Sequence, residues 1–191
     1  MNVPDVAIAL ALAWGAGLRA YAVIFAVGLA GALGWVELPG HLEVLQHPLV
    51  IAASGLMTLV EFGADKIPWL DSIWDAVHSF IRIPAGAALA ALAFGDSSNA
   101  VMVAAGILGG SLAAAMHTAK AGARAALNLS PEPFSNWGAS LTEDALVPLG
   151  LWLAFAHPIV FFLLLAACLA AAVLLARLLW RGIRRLTRRP A

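Results

Sequence analysis

The sequence predicts an all-α fold, a polytopic transmembrane helical bundle of about six segments, on three observations. Hydrophobic residues make up 62% of the 191 residues, charged residues make up only 12%, and the mean hydropathy is +0.90. Soluble domains are about 45–50% apolar and about 25% charged, so this chain has too few polar residues to cover a globule. Apolar runs near the ~20 residues that cross a bilayer core also recur along it. These observations exclude an ordinary soluble domain, a disordered chain and a nucleic-acid-binding protein.

Residues 1–180 are predicted to form one transmembrane helical domain, followed by a basic cytoplasmic tail at 181–191. The first apolar segment, residues 5–36, would be about 48 Å long as one helix, which exceeds the ~30 Å hydrocarbon core. A break near Arg19 is therefore expected, giving either one long tilted helix or two shorter pieces. The other five segments are residues 49–63, 83–95, 99–127, 138–156 and 158–180.

The distribution of basic residues predicts the orientation. Six of the 11 Lys and Arg residues lie in the last fifteen positions, and the positive-inside rule places this end in the cytoplasm. Loops 37–48, 95–99 and 156–158 contain no Lys or Arg and are expected outside. With six crossings both termini are cytoplasmic, whereas two separate crossings in the first segment would move the N-terminus outside. The Arg-rich tail is expected to contact anionic lipids of the bilayer.

A first block of charged residues spans residues 61–82. After Pro68 the spacing i, i+4, i+7, i+11 predicts an amphipathic cytoplasmic helix at 69–82 with one polar face. This face is interpreted either as the solvated side of an interfacial helix or as part of a functional site. The next apolar segment is expected to begin at Pro84, a favourable first-turn residue. The residues of the polar face are Asp71, Asp75, His78 and Arg82.

A second block spans residues 117–144. His117, Lys120 and Arg124 have the spacing i, i+3, i+7, which places them on one helical face. Pro131 and Pro133 prevent a continuous helix through the following loop. Non-helical backbone so close to a membrane is tolerated where it is buried in protein or lines a wet cavity.

We hypothesise that the two blocks meet on the cytoplasmic side and that Arg19 approaches them. Ionisable groups inside a membrane usually face one another or a water-filled path, so they indicate a functional site, with a purely structural ion-pair network as the alternative. The candidate ion- or substrate-binding residues are Arg19, Glu61, Asp65, Lys66, Asp71, Asp75, His78, Arg82, His117, Lys120, Arg124, Asn136, Glu143 and Asp144.

Three motifs, within residues 17–21, 61–87 and 117–144, carry a resemblance to a known family. They include Gly-Leu-Arg-Ala-Tyr, Ala-Asp-Lys-Ile-Pro-Trp-x-Asp and His-x2-Lys-Ala-x2-Arg. With them the chain resembles the bacterial integral membrane proteins grouped as domain of unknown function 4126, from about residue 5 to the basic tail. The resemblance implies a multi-pass protein of the bacterial inner (cytoplasmic) membrane and brings no assigned activity.

The function expected from these features is a small transporter or channel for an ion or a small polar or phosphorylated solute. Six segments are few for a monomeric transporter, so a homodimer is expected. One alternative is an enzyme acting on a lipid-linked phosphate, with Mg²⁺ held by Asp65, Asp71 and Asp75. The sequence lacks the Asp-Gly-x2-Ala-Arg, Gly-x-Ser-x-Gly and His-Glu-x2-His motifs, which favours a protein that is not an enzyme and has no cofactor. The other alternative is a structural assembly factor.

Overall fold

The computed structural model describes residues 2–67, 70–128 and 134–187, and these residues form helices and connections with no strand. The predicted all-α fold is confirmed. The helices are α1 (Val3–Ala32), a 3₁₀ helix (Gly40–Gln46), α2 (Pro48–Ala64), α3 (Leu70–Leu92), α4 (Asn99–Leu127), α5 (Phe134–Ala156) and α6 (Pro158–Thr187). The expectations that concern Pro68, Trp69, Pro131, Pro133, Arg188 and Arg189 fall outside the described residues.

The first helix, α1, turns back on itself at Arg19. Its backbone angles there, φ −148° and ψ 79°, are non-helical. A Cβ atom built on Gly15 would lie 2.7 Å from Val23 Cγ2, although a straight helix separates residues eight positions apart by about 12 Å. Asp5 and Trp35, from opposite ends of the segment, also line one cavity. Helix α1 is therefore a hairpin with its tip at Arg19.

The two arms of this hairpin are α1a (residues 3–18) and α1b (residues 20–32). At 1.5 Å per residue they are about 24 and 20 Å long, so neither arm alone crosses a ~30 Å core. Val6 shares a cavity with residues of the α3–α4 connection, whereas Leu179 contacts Gly122 near the other end of α4. The two termini therefore lie at opposite ends of the bundle. Because the chain reverses within its first helix, the structure agrees with the alternative of two shorter pieces, with the N-terminus at the end opposite the C-terminus.

Four helices are long and apolar enough to cross a membrane by length and composition. They are α1, α4, α5 and the Pro158–Arg181 part of α6. The 3₁₀ helix and α2, bent by 72° at their junction, give a fifth if they count as one span. Helix α3 is not among these candidate spans, because its residues 70–82 contain Asp71, Asp75, His78 and Arg82. By length and composition the described residues thus contain four or five candidate spans, one of which, α1, is folded as a hairpin. The predicted number of about six is not confirmed.

Residues 70–82 are not a separate surface helix, because they are continuous with the apolar segment in α3 and Pro84 lies inside that helix. The orientation of α3 also reverses one expectation. Its polar face is buried, while Phe80 is 85% exposed and Ile73 is 63% exposed. An apolar surface around a charged interior is typical of a helix whose outer face contacts lipid. The interpretation of this stretch as an interfacial helix with a solvated polar face is wrong.

Arm α1a forms the centre of the bundle and sets the position of the hairpin tip. Trp14 packs edge-on against Phe161, with ring centroids 6.2 Å apart. Near the tip, a Cβ on Gly17 would meet the backbone of Ala113 on α4, its Cα at 2.9 Å. Small residues at such crossings allow backbones to approach closely in a membrane. This contact holds Arg19 against α4 and α5.

Candidate functional site

Half of the charged residues of the chain gather around Arg19 at one end of the bundle. At this end α2 and α4 finish, α3 and α5 begin, and α1 has its hairpin tip. Five helices therefore contribute side chains. Ion pairs connect ten of these residues into one network, and the eleventh, Asp71, lies beside it through Asn128. We call this group the charged cluster. Its members are Arg19, Glu61, Asp65, Lys66, Asp71, Asp75, Arg82, Lys120, Arg124, Glu143 and Asp144.

Arg19 connects the hairpin tip to α5 and to the end of α2. Its Nη2 atom lies 2.8 Å from Asp65 Oδ2, 3.0 Å from Asp144 Oδ1 and 3.9 Å from Glu143 Oε2. It also donates a hydrogen bond of 3.1 Å to the Ser140 hydroxyl. Only 2% of the Arg19 side chain is exposed, so its charge depends on these partners.

Lys120, on α4, lies between three carboxylates of three different elements. Its Nζ atom is 3.0 Å from Glu143 Oε2, 3.2 Å from Asp65 Oδ2 and 3.6 Å from Asp75 Oδ1. It also donates to the carbonyl of Leu18 at 3.2 Å. Because the helix is interrupted at the next residue, this carbonyl is at a helix C-terminus, where a cation is favourable.

Arg82, on α3, forms the second centre of the cluster. It pairs with Glu61 at the end of α2 and, at 2.5 Å, with Asp75 two turns earlier on α3. His117 Nδ1 lies 3.4 Å from Arg82 Nη1, and its Nε2 atom is 2.7 Å from the Ser79 hydroxyl. Both blocks of the sequence are therefore in direct contact.

Arg124 joins the end of α4 to the start of α5. Its guanidinium donates to the backbone carbonyl of Asn136 at 2.9 Å and to the Asn136 side-chain oxygen, and it lies 3.3 Å from Glu143. In return, the Asn136 amide donates to the carbonyl of Asp65 at 3.5 Å. These bonds hold the ends of α2, α4 and α5 together.

Asp71 and Lys66 lie at the edge of the cluster. Asp71, in the first turn of α3, accepts from Asn128 Nδ2 at 3.1 Å and from the backbone N–H of Ser72 at 2.6 Å. A carboxylate at a helix N-terminus is favourable, which stabilises Asp71 without a cation. Lys66 Nζ lies 3.7 Å from Asp144 Oδ2 and donates to the carbonyl of Phe62 at 3.1 Å.

His78 is held by ring packing and a backbone hydrogen bond, and not by an ion pair. Its ring stacks on Trp74 with centroids 4.1 Å apart and meets the Tyr21 ring edge-on at 5.7 Å. Its Nδ1 atom bonds the carbonyl of Trp74 at 2.8 Å. These contacts make His78 a packing residue between α3 and α1b.

The charges of the cluster do not balance. Six carboxylates face five cations, so one negative charge is in excess when all are ionised. Burial opposes the ionisation of Asp65, but Lys120 and Arg19 outweigh it and hold the pKa of this carboxyl below its usual range. Some buried carboxylate oxygens have no hydrogen-bond donor among the described residues. They are Glu61 Oε2, Asp65 Oδ1, Asp75 Oδ2 and Asp144 Oδ2.

A family model described as a domain of unknown function (DUF4126) matches residues 6–178. The chain belongs to this family. The match covers every member of the charged cluster and confirms the resemblance inferred from the motifs. No curated protein and no solved structure matches the chain.

In this family member the three aspartates considered as magnesium ligands do not converge. Asp65 faces Arg19 and Lys120, Asp75 faces Arg82 and Lys120, and Asp71 faces an amide. The part of the chain that the structure describes contains no group of three or more His, Cys, Asp or Glu placed to hold a metal ion. A magnesium site that used Asp65 and Asp75 would thus take carboxylates that already pair with Arg19, Arg82 and Lys120.

Three polar residues of the site are absent from the set of candidates taken from the sequence. Ser140 accepts from Arg19, Ser79 contacts His117, and Asn128 donates to Asp71. For two of these residues, helical spacing is the feature of the sequence that would have identified them. Asn128 lies four positions after Arg124, and Ser140 lies four positions after Asn136, so each continues a charged or polar face.

Proposed function

We propose that this family member is a small proton-coupled membrane transporter for an ion or a small polar or phosphorylated solute. The charged cluster is its coupling and binding site. The observation that supports the proposal is the hairpin of α1, which brings a helix break at Arg19 into a buried ion-pair network. Discontinuous helices whose ends face ionised groups at membrane depth are a recurring design of secondary transporters. Interrupted backbone at that depth is otherwise disfavoured.

The charge balance supports a proton as the coupling ion. An excess negative charge in a low-dielectric interior favours uptake of a proton or a small cation. Arg19 and Lys120 each face three carboxylates, so protonation of one carboxylate leaves both cations paired. The side chain of Glu143 is 14% exposed, so this carboxylate is the least enclosed of the partners of Lys120 and is the proposed site of protonation.

The proposed location is the bacterial inner membrane, with several crossings and with the charged cluster and the C-terminus on the cytoplasmic side. Lys66, Lys120 and Arg124 lie at the same end of the bundle as the C-terminal part of α6, which the positive-inside rule assigns to the cytoplasm. We propose contacts between the basic tail and anionic lipids, and a homodimer as the working unit.

Proton movement in proteoliposomes tests this function. The purified protein is reconstituted with a pH-sensitive dye inside, and phosphate, small carboxylates, sugar phosphates and monovalent salts are added in turn. We expect at least one solute to change the internal pH, and Glu143→Gln to abolish the change. Asp96→Asn, which alters an 81% exposed carboxylate at the other end, is the matched control and should retain it. Folded, monodisperse protein that moves no protons with any solute or under an imposed membrane potential would overturn the proposal.

A further inference from the structure

We infer that a cleft between α2 and α5 binds the head group of a bilayer lipid that carries both a phosphate and a primary ammonium group. Arg19 would receive the phosphate and Asp144 the ammonium. The inference goes beyond the proposed function, because it adds a lipid ligand, a zwitterionic aminophospholipid, at the polar end of this cleft.

The cleft is a cavity of about 300 Å³ with one polar end, at the lower limit of the size range of ligand sites. Helices α2 and α5 both pack against α1, and the cleft lies between them over α1b. Its walls include Phe25, Phe62 and Val147, and its polar end is formed by Arg19 and Asp144. An apolar passage that ends in two opposite charges suits an amphiphile.

The position of the cleft along α5 places its mouth among acyl chains. Pro148, which lines it, lies about 21 Å along the helix from Phe134 and about 12 Å from Ala156. This is near the middle of a ~30 Å hydrocarbon core. Neighbouring side chains on both helices are apolar and exposed, Leu59 at 71% and Leu149 at 46%. A ligand that enters here comes from the bilayer and not from water.

The polar end of the cleft has a donor and an acceptor that make no hydrogen bond with the described residues. Arg19 Nε is buried without an acceptor, and Asp144 Oδ2 accepts no hydrogen bond and has Lys66 Nζ at 3.7 Å. Pro148 has no N–H to give to the carbonyl of Asp144, four positions earlier, which leaves a second acceptor nearby. A phosphate oxygen would accept from Arg19 Nε, and an ammonium group, with three donors, would satisfy both acceptors.

The charge of the cluster selects among lipid head groups. A purely anionic head would add to the excess negative charge of the cluster, and a purely cationic head would leave Arg19 Nε without an acceptor. A zwitterion leaves the net charge unchanged and uses both groups. A quaternary ammonium has no N–H to donate, so phosphatidylethanolamine fits better than phosphatidylcholine.

Thermal stabilisation of lipid-depleted protein by added lipid tests this assignment. Phosphatidylethanolamine, phosphatidylcholine and phosphatidylglycerol are compared at equal mole fraction in detergent, with native mass spectrometry to count retained lipid. A ligand that binds only the folded state raises Tm, and at equal concentration the rise is larger for the ligand of higher affinity. We expect the largest rise with phosphatidylethanolamine. Equal rises, or the largest rise with phosphatidylglycerol, would overturn the inference, as would soluble phosphoethanolamine acting as strongly as the lipid.

Filling the cleft gives the matched comparison. Ala26→Trp blocks the cleft, whereas Ala119→Trp places the same bulk in a groove between α4 and α6 that also opens outward. We expect Ala26→Trp to abolish the preference for phosphatidylethanolamine and Ala119→Trp to retain it. If Ala26→Trp does not fold, Ala22→Leu, in the same cleft, replaces it. A preference that survives in the cleft variant would overturn the inference.

The two proposals fail separately because lipid binding is measured without transport. A retained phosphatidylethanolamine preference without proton movement would contradict only the proposed function. Proton movement driven by a soluble solute, with no lipid preference, would contradict only the lipid site.

Discussion

Both ends of the bundle carry carboxylates, but in opposite environments. At the end with the hairpin tip, Glu61 and Arg82 have no exposed surface and belong to a continuous ion-pair network. At the other end Glu37 is exposed, and the ion pair His41–Asp96 has an N–O distance of 4.0 Å with side chains 59% and 81% exposed. Carboxylates are therefore solvated at one end and depend on protein partners at the other.

This difference shows at which end a charged side chain lowers the stability of the fold. Exposed ion pairs contribute about 0–1 kcal/mol because water already solvates both partners. Buried pairs lose that solvation, and well-packed apolar residues of similar volume are often as stable or more stable. The chain has eleven charged residues at one end of an apolar bundle, where stability alone does not require them. Their presence supports a functional role for the charged cluster.

Removal of Arg82, at the buried end, is expected to lower the free energy of unfolding more than the other substitutions. Arg82→Met leaves Glu61 and Asp75 buried without their main cation, and loss of one partner of a buried pair costs about 3–5 kcal/mol. We expect this loss in the free energy of unfolding, measured by denaturant titration in detergent. The double variant Glu61→Gln, Arg82→Met should be less destabilised than the sum of the single variants. Additive losses would show that Glu61 and Arg82 do not interact.

Substitution of Asp65 tests the electrostatics of the cluster through pH. Asp65→Asn removes a carboxylate shared by Arg19 and Lys120 and should cost about 1.5–3 kcal/mol at neutral pH. The pKa of Asp65 is lower when folded than its ordinary value of 3.8, so its contribution is present above that pH and is lost as pH falls through the folded pKa. The difference between wild type and variant should therefore shrink below about pH 4.

The control for this pH series is Glu37→Gln, which changes an exposed carboxylate at the other end of the bundle. Its unfolding free energy should follow that of the wild type at every pH. A difference between wild type and Asp65→Asn that stays constant down to pH 2 would contradict a lowered pKa.

Crowding of the hairpin tip tests whether packing positions the cluster. The added methyl group of Gly17→Ala would meet the backbone of Ala113, and such overpacking costs about 1–3 kcal/mol. Gly63→Ala, on α2, is the matched control because nothing lies within 4 Å of its added Cβ. The control should be neutral or slightly stabilising, since Ala is favoured over Gly in helices. Equal thermal unfolding of both variants would mean that the tip is not tightly packed.

The smallest effect is expected at the end opposite the cluster. Asp96→Asn removes the partner of His41 from a long, exposed pair and should change the unfolding free energy by less than about 1 kcal/mol. A loss as large as that of Arg82→Met, measured in the same titration, would remove the contrast between the two ends.

Periodicity in the sequence was sufficient to predict which residues share a face. On α3 the spacing of Asp71, Asp75, His78 and Arg82 identified a polar face, and on α4 the face of His117, Lys120 and Arg124 was correct. Periodicity does not determine whether such a face meets water or protein. For α3 the structure shows that the polar face meets protein, because Arg82 pairs with Glu61 on another helix.

The reversal of α1 is the feature that the sequence indicated least. Gly15, Gly17 and Arg19 marked a break, but a break is compatible with a kinked span and with a hairpin. The choice depends on contacts far away in sequence, such as that of Gly17 with Ala113 and that of Arg19 with Ser140. These contacts also determine at which end of the bundle the N-terminus lies.

The sequence by itself determined the helical class, the membrane-like composition, the family and the faces that carry charge, because these follow from composition and local spacing. Only the tertiary structure decided that α1 is a hairpin and that α3 points its charges inward. It also decided that Lys120 lies between Asp65, Asp75 and Glu143. The physical reason is that a buried charge is stable only beside its partner, and these partners lie on helices that the chain brings together only when it folds.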